Sequence, residues 1–160
     1  DQEFADYIIE EAEITETSKV VEFGCGSGYF TNILNDLCEV EGISNSPVNI
    51  DVCKKLYPEC NFIVADMEDH VAEDKTHCIA LESFNYSNPE KTFKNAHKIL
   101  KKGGIFYMKE WMGVEDDNEK ILAKNRFWIA ASTHQGEDDL CLKTHLMLKE
   151  KYGGNRIKNE

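Results

Sequence analysis

At 160 residues and 41% hydrophobic, the chain has enough apolar material for one domain with a real core. Eighteen basic residues stand against 30 acidic ones, a net charge of −12. That balance argues against a nucleic-acid backbone or an anionic membrane surface as main partner, because both reward clustered Lys and Arg. No apolar run reaches the length of a membrane-spanning helix, and no signal-peptide pattern opens the chain, which starts at Asp rather than Met. The six cysteines lack C-x-x-C spacing and the five histidines lack metal-ligand spacing. No metal site is expected, and free thiols in a reducing cytoplasm are the default.

In chain order, Phe4, Tyr7, Ile8 and Ala12 recur at helical intervals and predict an amphipathic helix over 2–13. A polar break at 15–18 precedes a short β-prone run, Lys19 to Phe23. After three glycines, Phe30, Ile33, Leu34 and Leu37 form a second helical stripe. Cys38 to Ile43 reads as a strand. Ser46 then caps a helix with Pro47 at its first position, and Pro58 stops it. Asn61 to Ala65 is a third strand, followed by a turn and short helix at Asp66–Asp69. His77 to Ser83 is a fourth strand. Pro89 opens a helix carrying Phe93, Ala96, His97 and Leu100 on one face, ended by Lys102-Gly103-Gly104. Lys98, Lys101 and Lys102 are placed at that helix's C-terminus, where cations suit the dipole. Ile105 to Lys109 is a fifth, buried strand, and Asp116 to about Thr133 a further helix. Residues 134–160 are unassigned, so the expectation is a single domain over 1–160 with 1–133 as its core.

Strands alternating with helices at this spacing imply right-handed crossovers and a doubly wound, mostly parallel α/β sheet. Ligands in such sheets sit beyond the carboxyl ends of the strands. The site candidates are therefore the loops at 24–28, 44–46, 66–68, 82–86 and 109–112.

The first of these loops is the most specific. Glu22 lies inside the end of the first strand, and Gly24, Gly26 and Gly28 follow at alternate positions before a helix begins at Tyr29. Glycines let backbone approach a ligand, and the first helical turn supplies N–H donors. A dinucleotide fingerprint needs its third glycine three residues after the second, where this chain has Tyr29, and no Gly-Lys-Ser/Thr follows for a phosphate loop. Glu22 would repel a pyrophosphate and suits a cationic ligand. An ordinary strand-to-helix turn is the bland rival, and a nicotinamide-dependent oxidoreductase the remote one.

The Glu-x-Gly-x-Gly-x-Gly pattern resembles motif I of the class I S-adenosylmethionine-dependent methyltransferases, and the resemblance runs from about residue 4 to 112. It implies a Rossmann-like methyltransferase fold whose C-terminal strands are not recognisable in residues 134–160, S-adenosylmethionine as cofactor, and a small-molecule acceptor. It also implies that Glu22, Gly24, Cys25, Gly26 and Gly28 surround the methionine half of the cofactor. Ser44 and Asn45 stand where the family usually has a ribose-gripping acid. A Gly-Ile/Leu-Thr-x-Ser run like Gly42 to Ser46 is similar to that of cyclopropane-synthase relatives, and Ser44 to Ser46 as plain helix caps fits too. Asp66 and Met67 match the adenine-reading pair, with a helix cap as the rival for Asp66, and Ile43 and Val64 are candidate walls for the base. Glu82-Ser83 after the fourth strand looks like the terpenoid C-methyltransferase and sarcosine-type N-methyltransferase branch. Glu82 is a candidate for cofactor and acceptor alike, or an ordinary strand-end residue. Tyr86 and Phe84 offer π faces or core packing, and Glu110 and Trp111 end the fifth strand. The resemblance thus makes Glu82, Tyr86 and Glu110 the catalytic candidates. The missing acid at Ser44 keeps a second class open: a non-catalytic methyltransferase-like module that binds cofactor or a partner protein.

Overall fold

The computed structural model describes residues 2–109 and the backbone of residues 129–130. Within them lie α1 (Gln2–Glu11), β1 (Lys19–Phe23), α2 (Tyr29–Asn35), β2 (Glu39–Ser44), α3 (Pro47–Leu56), β3 (Asn61–Val64), β4 (Lys75–Leu81), α4 (Pro89–Ile99), β5 (Leu100–Lys109) and β6 (Ile129–Ala130). They build one parallel sheet in the order β3-β2-β1-β4-β5-β6. From β1 the chain steps outward through β2 to β3, then returns to lay β4 on the other side of β1. The order therefore reverses between β1 and β4, and a crevice opens there beyond the strand ends.

Both faces of the sheet are covered, so strand residues are buried whichever way they point. Val21 and Phe23 join Cys78, Ala80, Phe106 and Met108 beneath α4, which contributes Phe93, Ala96 and Ile99. Val20, Ile79 and Tyr107 face the other way, against Ala5 and Ile8 of α1, Ala12 just after it, and Phe30 and Leu34 of α2. Phe84, Phe93 and Phe106 form a ring cluster with centroids 5.0 to 6.1 Å apart. Such pairs add about 0.5–1.5 kcal/mol each beyond burial.

Several expectations shift. The buried stripe is Ala5 and Ile8 of α1, continued by Ala12 just beyond it, while Phe4 and Tyr7 lie to the side. Their rings flank the Lys109 ammonium at 4.9 and 4.8 Å, which ties the helix to the end of β5. Helix α4 ends at Ile99 with Leu100 already extended, so Gly103-Gly104 do not cap it. They lie in an irregularity of β5, where Lys75 pairs with Leu100 and His77 with Ile105; Gly103 takes φ 81° inside it. Lys101 and Lys102 are consequently exposed strand residues, and only Lys98 sits in the last helical turn. Asp66–Asp69 forms a hydrogen-bonded turn without a helix. Ile129 and Ala130, assigned to a helix by their periodicity, instead pair in parallel with Phe106 and Tyr107. The outer edge of β5 offers unpaired backbone groups, and this pairing outweighs local propensity. The rest of the helix expected over 116–133 lies outside the described residues, as do 134–160.

Candidate functional site

Four strand ends and their loops enclose a hollow of about 260 Å³. The turn after β1 contributes Gly24 and Gly26; β2 and the start of α3 contribute Ser44, Asn45 and Asn49. The turn after β3 gives Ala65, Asp66 and Met67, and that after β4 gives Glu82, Ser83, Tyr86 and Ser87.

The three glycines after β1 have left-handed backbones but three different surroundings. A Cβ on Gly24 would lie 2.4 Å from that of Ser83, so this glycine lets β1 and β4 close on each other. One on Gly28 would meet the Phe62 ring at 2.7 Å and Cys53 Sγ at 3.1 Å. Gly26 alone faces space, with nothing within 4 Å of a Cβ built on it. That bare side, with Gly26 itself on the wall of the hollow, is a cradle for a ligand. The turn is anchored by Gly24 N and Cys25 N, which both donate to Ile43 O at 3.0 and 2.9 Å, and by Cys53 Sγ, which donates to Gly26 O at 3.2 Å.

Glu22, Cys25 and Gly28 are placed beneath the turn rather than on the wall. Glu22 is only 4% exposed and accepts a hydrogen bond from the Thr31 hydroxyl on α2. Burial pushes its carboxyl up from 4.5 to about 7, and the Thr31 bond opposes that rise only in part. Cys25 is buried beside Cys53; burial first, then the Glu22 charge, push its thiol up, so it is a packing residue with little thiolate.

Ser44 is buried at the end of β2, where its Oγ accepts from Ser46 N at 3.2 Å. Ser46 in turn caps α3, accepting from Asn49 N at 3.3 Å. Capping and wall-building therefore coexist in this loop. The same holds for Asp66, whose Oδ1 accepts from Glu68 N at 2.9 Å while the residue lines the hollow. Asn95, buried on α4, donates from Nδ2 to Met67 O at 3.1 Å and His70 O at 3.0 Å, which fixes the turn that presents Asp66 and Met67. Ile43 is core, and Val64 is half exposed; neither is on the wall.

Strand β4 stops at Leu81, two residues earlier than its apolar run suggests, because Glu82 turns the chain with φ 54°. Its N–H is held by Lys109 O at 2.7 Å. A side chain other than glycine in that region costs about 1–2 kcal/mol, and here it sends a carboxylate over the hollow. Ser83 follows, buried, its hydroxyl donating to Phe23 O at 2.5 Å. In the 3₁₀ turn Phe84–Tyr86, Phe84 is core and Tyr86 is 89% exposed. Phe84 is thereby excluded as a ligand face. Glu110 and Trp111 lie outside the described residues.

The hollow thus gathers Gly24, Gly26, Ser44, Asn45, Asp66, Met67, Glu82 and Tyr86. The sequence pattern passes over Asn49, Ala65 and Ser87; only their places after strand ends or in a capped first turn could have marked them. Among the described lining residues two are carboxylates and none is basic. An open doubly wound sheet with a glycine turn and an acidic hollow at its switch point defines an α/β domain that binds a small ligand at its strand ends.

The comparisons with known proteins name the class. The profile of the family described as "Methyltransferase domain" matches residues 21–108, more than half of the chain. A sterol 24-C-methyltransferase of Debaryomyces hansenii is 26% identical over 133 residues, covering 71% of this chain and 34% of that protein. A chain in the complex of the Haloferax volcanii Trm112 methyltransferase activator with a methyltransferase superposes with TM-score 0.58 at 28% identity, covering 65% of this chain and 50% of that one. Geranyl diphosphate C-methyltransferase from Streptomyces coelicolor, solved with Mg²⁺, geranyl diphosphate and S-adenosyl-L-homocysteine, gives TM-score 0.58 at 20% identity over 66% of this chain and 43% of that one. The chain belongs to the methyltransferase-domain family and has the class I S-adenosylmethionine-dependent methyltransferase fold. It spans between a third and two-fifths of the length of the curated relatives it matches. Among the described residues no helix is long and apolar enough to cross a membrane, and no group of three or more His, Cys, Asp or Glu is arranged to hold a metal ion.

Proposed function

We propose that the chain binds S-adenosylmethionine in the hollow between β1 and β4 and supports methyl transfer to a small molecule. The observation that carries this is the pairing of a bare Gly26 with walls that hold Asp66 and Glu82 and, among the described residues, no cation. Such walls favour a cationic nucleoside and disfavour a pyrophosphate.

Gly24 and Gly26 would receive the amino-acid end of the cofactor, Ser44 and Asn45 the ribose, and Asp66 and Met67 the adenine. Glu22, Cys25 and Gly28 support that cradle from below. When bound, the cofactor supplies a methyl group activated on a positively charged sulfur. The chain's own residues have then to bind, align and keep water out; alignment alone is worth several kcal/mol, on the order of 7–11 at best. A serine at position 44 gives the ribose a neutral hydrogen bond where a carboxylate would give a charge-assisted one, roughly half the strength. Glu82 and Tyr86 face the acceptor side, and Glu110 is proposed to join them. We read the 160 residues as one domain with its core in 1–133, and the five free thiols of the described residues as suited to a reducing cytoplasm.

Titration calorimetry with S-adenosylmethionine and S-adenosylhomocysteine tests the reading. Micromolar binding of both is expected; tighter binding of NADH would overturn it. A second reading is favoured by the 28% identical neighbour found with the Trm112 activator: a methyltransferase-like domain that turns over only with a protein partner, or not at all. Cofactor binding without methylation of any small-molecule acceptor by the chain alone would select it.

A further inference from the structure

We propose that the acceptor is an amine, received between the Glu82 carboxylate and the Tyr86 ring; this rests on the methyltransferase reading above. The cofactor side of the hollow is made of backbone, amide and hydroxyl groups together with Asp66, whereas the turn after β4 offers a carboxylate and an aromatic face. Both point outward for structural reasons. Glu82 has a left-handed backbone whose N–H is pinned to Lys109 O, and Ser83 locks the next residue to Phe23 O. Phe84 is driven into the ring cluster with Phe93 and Phe106, and the tight turn then carries Tyr86 to the surface two residues later.

A carboxylate and a π face lining one hollow suit an ammonium group: the first supplies a charge-assisted hydrogen bond, the second a cation–π contact. A carboxylate, phosphate or diphosphate acceptor would meet Asp66 and Glu82 with no opposing cation among the described walls. An alcohol or phenol could donate a hydrogen bond to the carboxylate but would gain neither the ion pair nor the cation–π contact.

The step balances without a further reactant. An acceptor bound as ammonium first loses a proton, passed through Glu82 to water, and this frees its lone pair. That pair forms the new N–C bond as the C–S bond breaks, and the sulfur keeps the bonding electrons and becomes a neutral thioether. The positive charge that leaves sulfur arrives on nitrogen, so the Glu82 carboxylate, which meets the ammonium on binding, faces a cation again after transfer. The product ammonium can then shed a proton through Glu82 to water.

The test is equilibrium binding of three probes of one shape, benzylamine, benzyl alcohol and benzoate, followed by NMR at pH 7 with saturating S-adenosylhomocysteine. The expected result is benzylamine binding at least tenfold tighter than benzyl alcohol, with benzoate weakest. Glu82→Gln should reduce that preference to twofold or less. Glu16→Gln, an exposed acid in the loop at the opposite end of β1, should leave it intact and so controls for the general pull of an acidic protein. Equal binding of the three probes, or a preference that survives Glu82→Gln, would overturn the proposal while the nucleoside's own binding left the methyltransferase reading standing. Failure of S-adenosylhomocysteine to bind would strike at that underlying reading, and the acceptor assignment would fall with it.

Discussion

The turn after β1 and the turn after β4 meet across one crevice but are built by different means. The first is all backbone: Gly24 and Gly28 are pressed against Ser83, Phe62 and Cys53, and only Gly26 faces open space. The second keeps a glutamate in a left-handed backbone and leaves a tyrosine almost fully exposed. A surface made of main chain is altered little by side-chain substitution, and we propose the shared cofactor for it. A surface made of projecting side chains changes with single substitutions, and it is there that we propose the acceptor is chosen.

Substitutions at the glycines should separate packing from binding. Gly24→Ala is expected to cost most, roughly 2–4 kcal/mol of stability in urea unfolding, from left-handed strain plus a clash with Ser83. Gly26→Ala adds a methyl to open space, so it should cost only the strain, about 1 kcal/mol, yet weaken S-adenosylhomocysteine binding at least tenfold. Equal stability losses at the two positions would erase the distinction between them.

Glu22 sharpens the comparison from below. Its folded pKa of about 7 lies above the ordinary 4.5, so the native state keeps a proton that the unfolded chain releases. The stabilisation is whole below pH 4.5 and is lost as pH rises through 7, a span of about 3 kcal/mol for this one group. Glu22→Gln should flatten that part of the stability–pH curve, measured by urea unfolding between pH 4.5 and 8. An unchanged slope would mean that Glu22 is hydrated. Asp66→Ala should weaken the nucleoside by about tenfold while costing under about 1 kcal/mol for the lost bond to Glu68 N. Tyr86→Ala, at an exposed position, should shift stability by no more than about 0.5 kcal/mol.

The order of strands and helices was legible because alternating apolar runs and Pro or Gly punctuation are local signals, and β1 to β4 obey them. The glycine turn was legible for the same reason. What the sequence concealed depends on distant partners. Gly103-Gly104 looks like a helix end until β4 is placed beside it, and Ile129-Ala130 keeps helical spacing until β5 offers an edge. Phe84 and Tyr86 look alike in the sequence, and only the Phe93 and Phe106 rings decide which is buried. The place of Glu22 before the glycines suggests a carboxylate facing the ligand, yet strand alternation turns it toward Thr31.

The most direct measurement is calorimetric titration of the chain and its Gly26→Ala variant with S-adenosylhomocysteine. The account predicts one site per chain with micromolar affinity, weakened at least tenfold by the added methyl. Binding that ignores the substitution would place the nucleoside somewhere other than the crevice between β1 and β4.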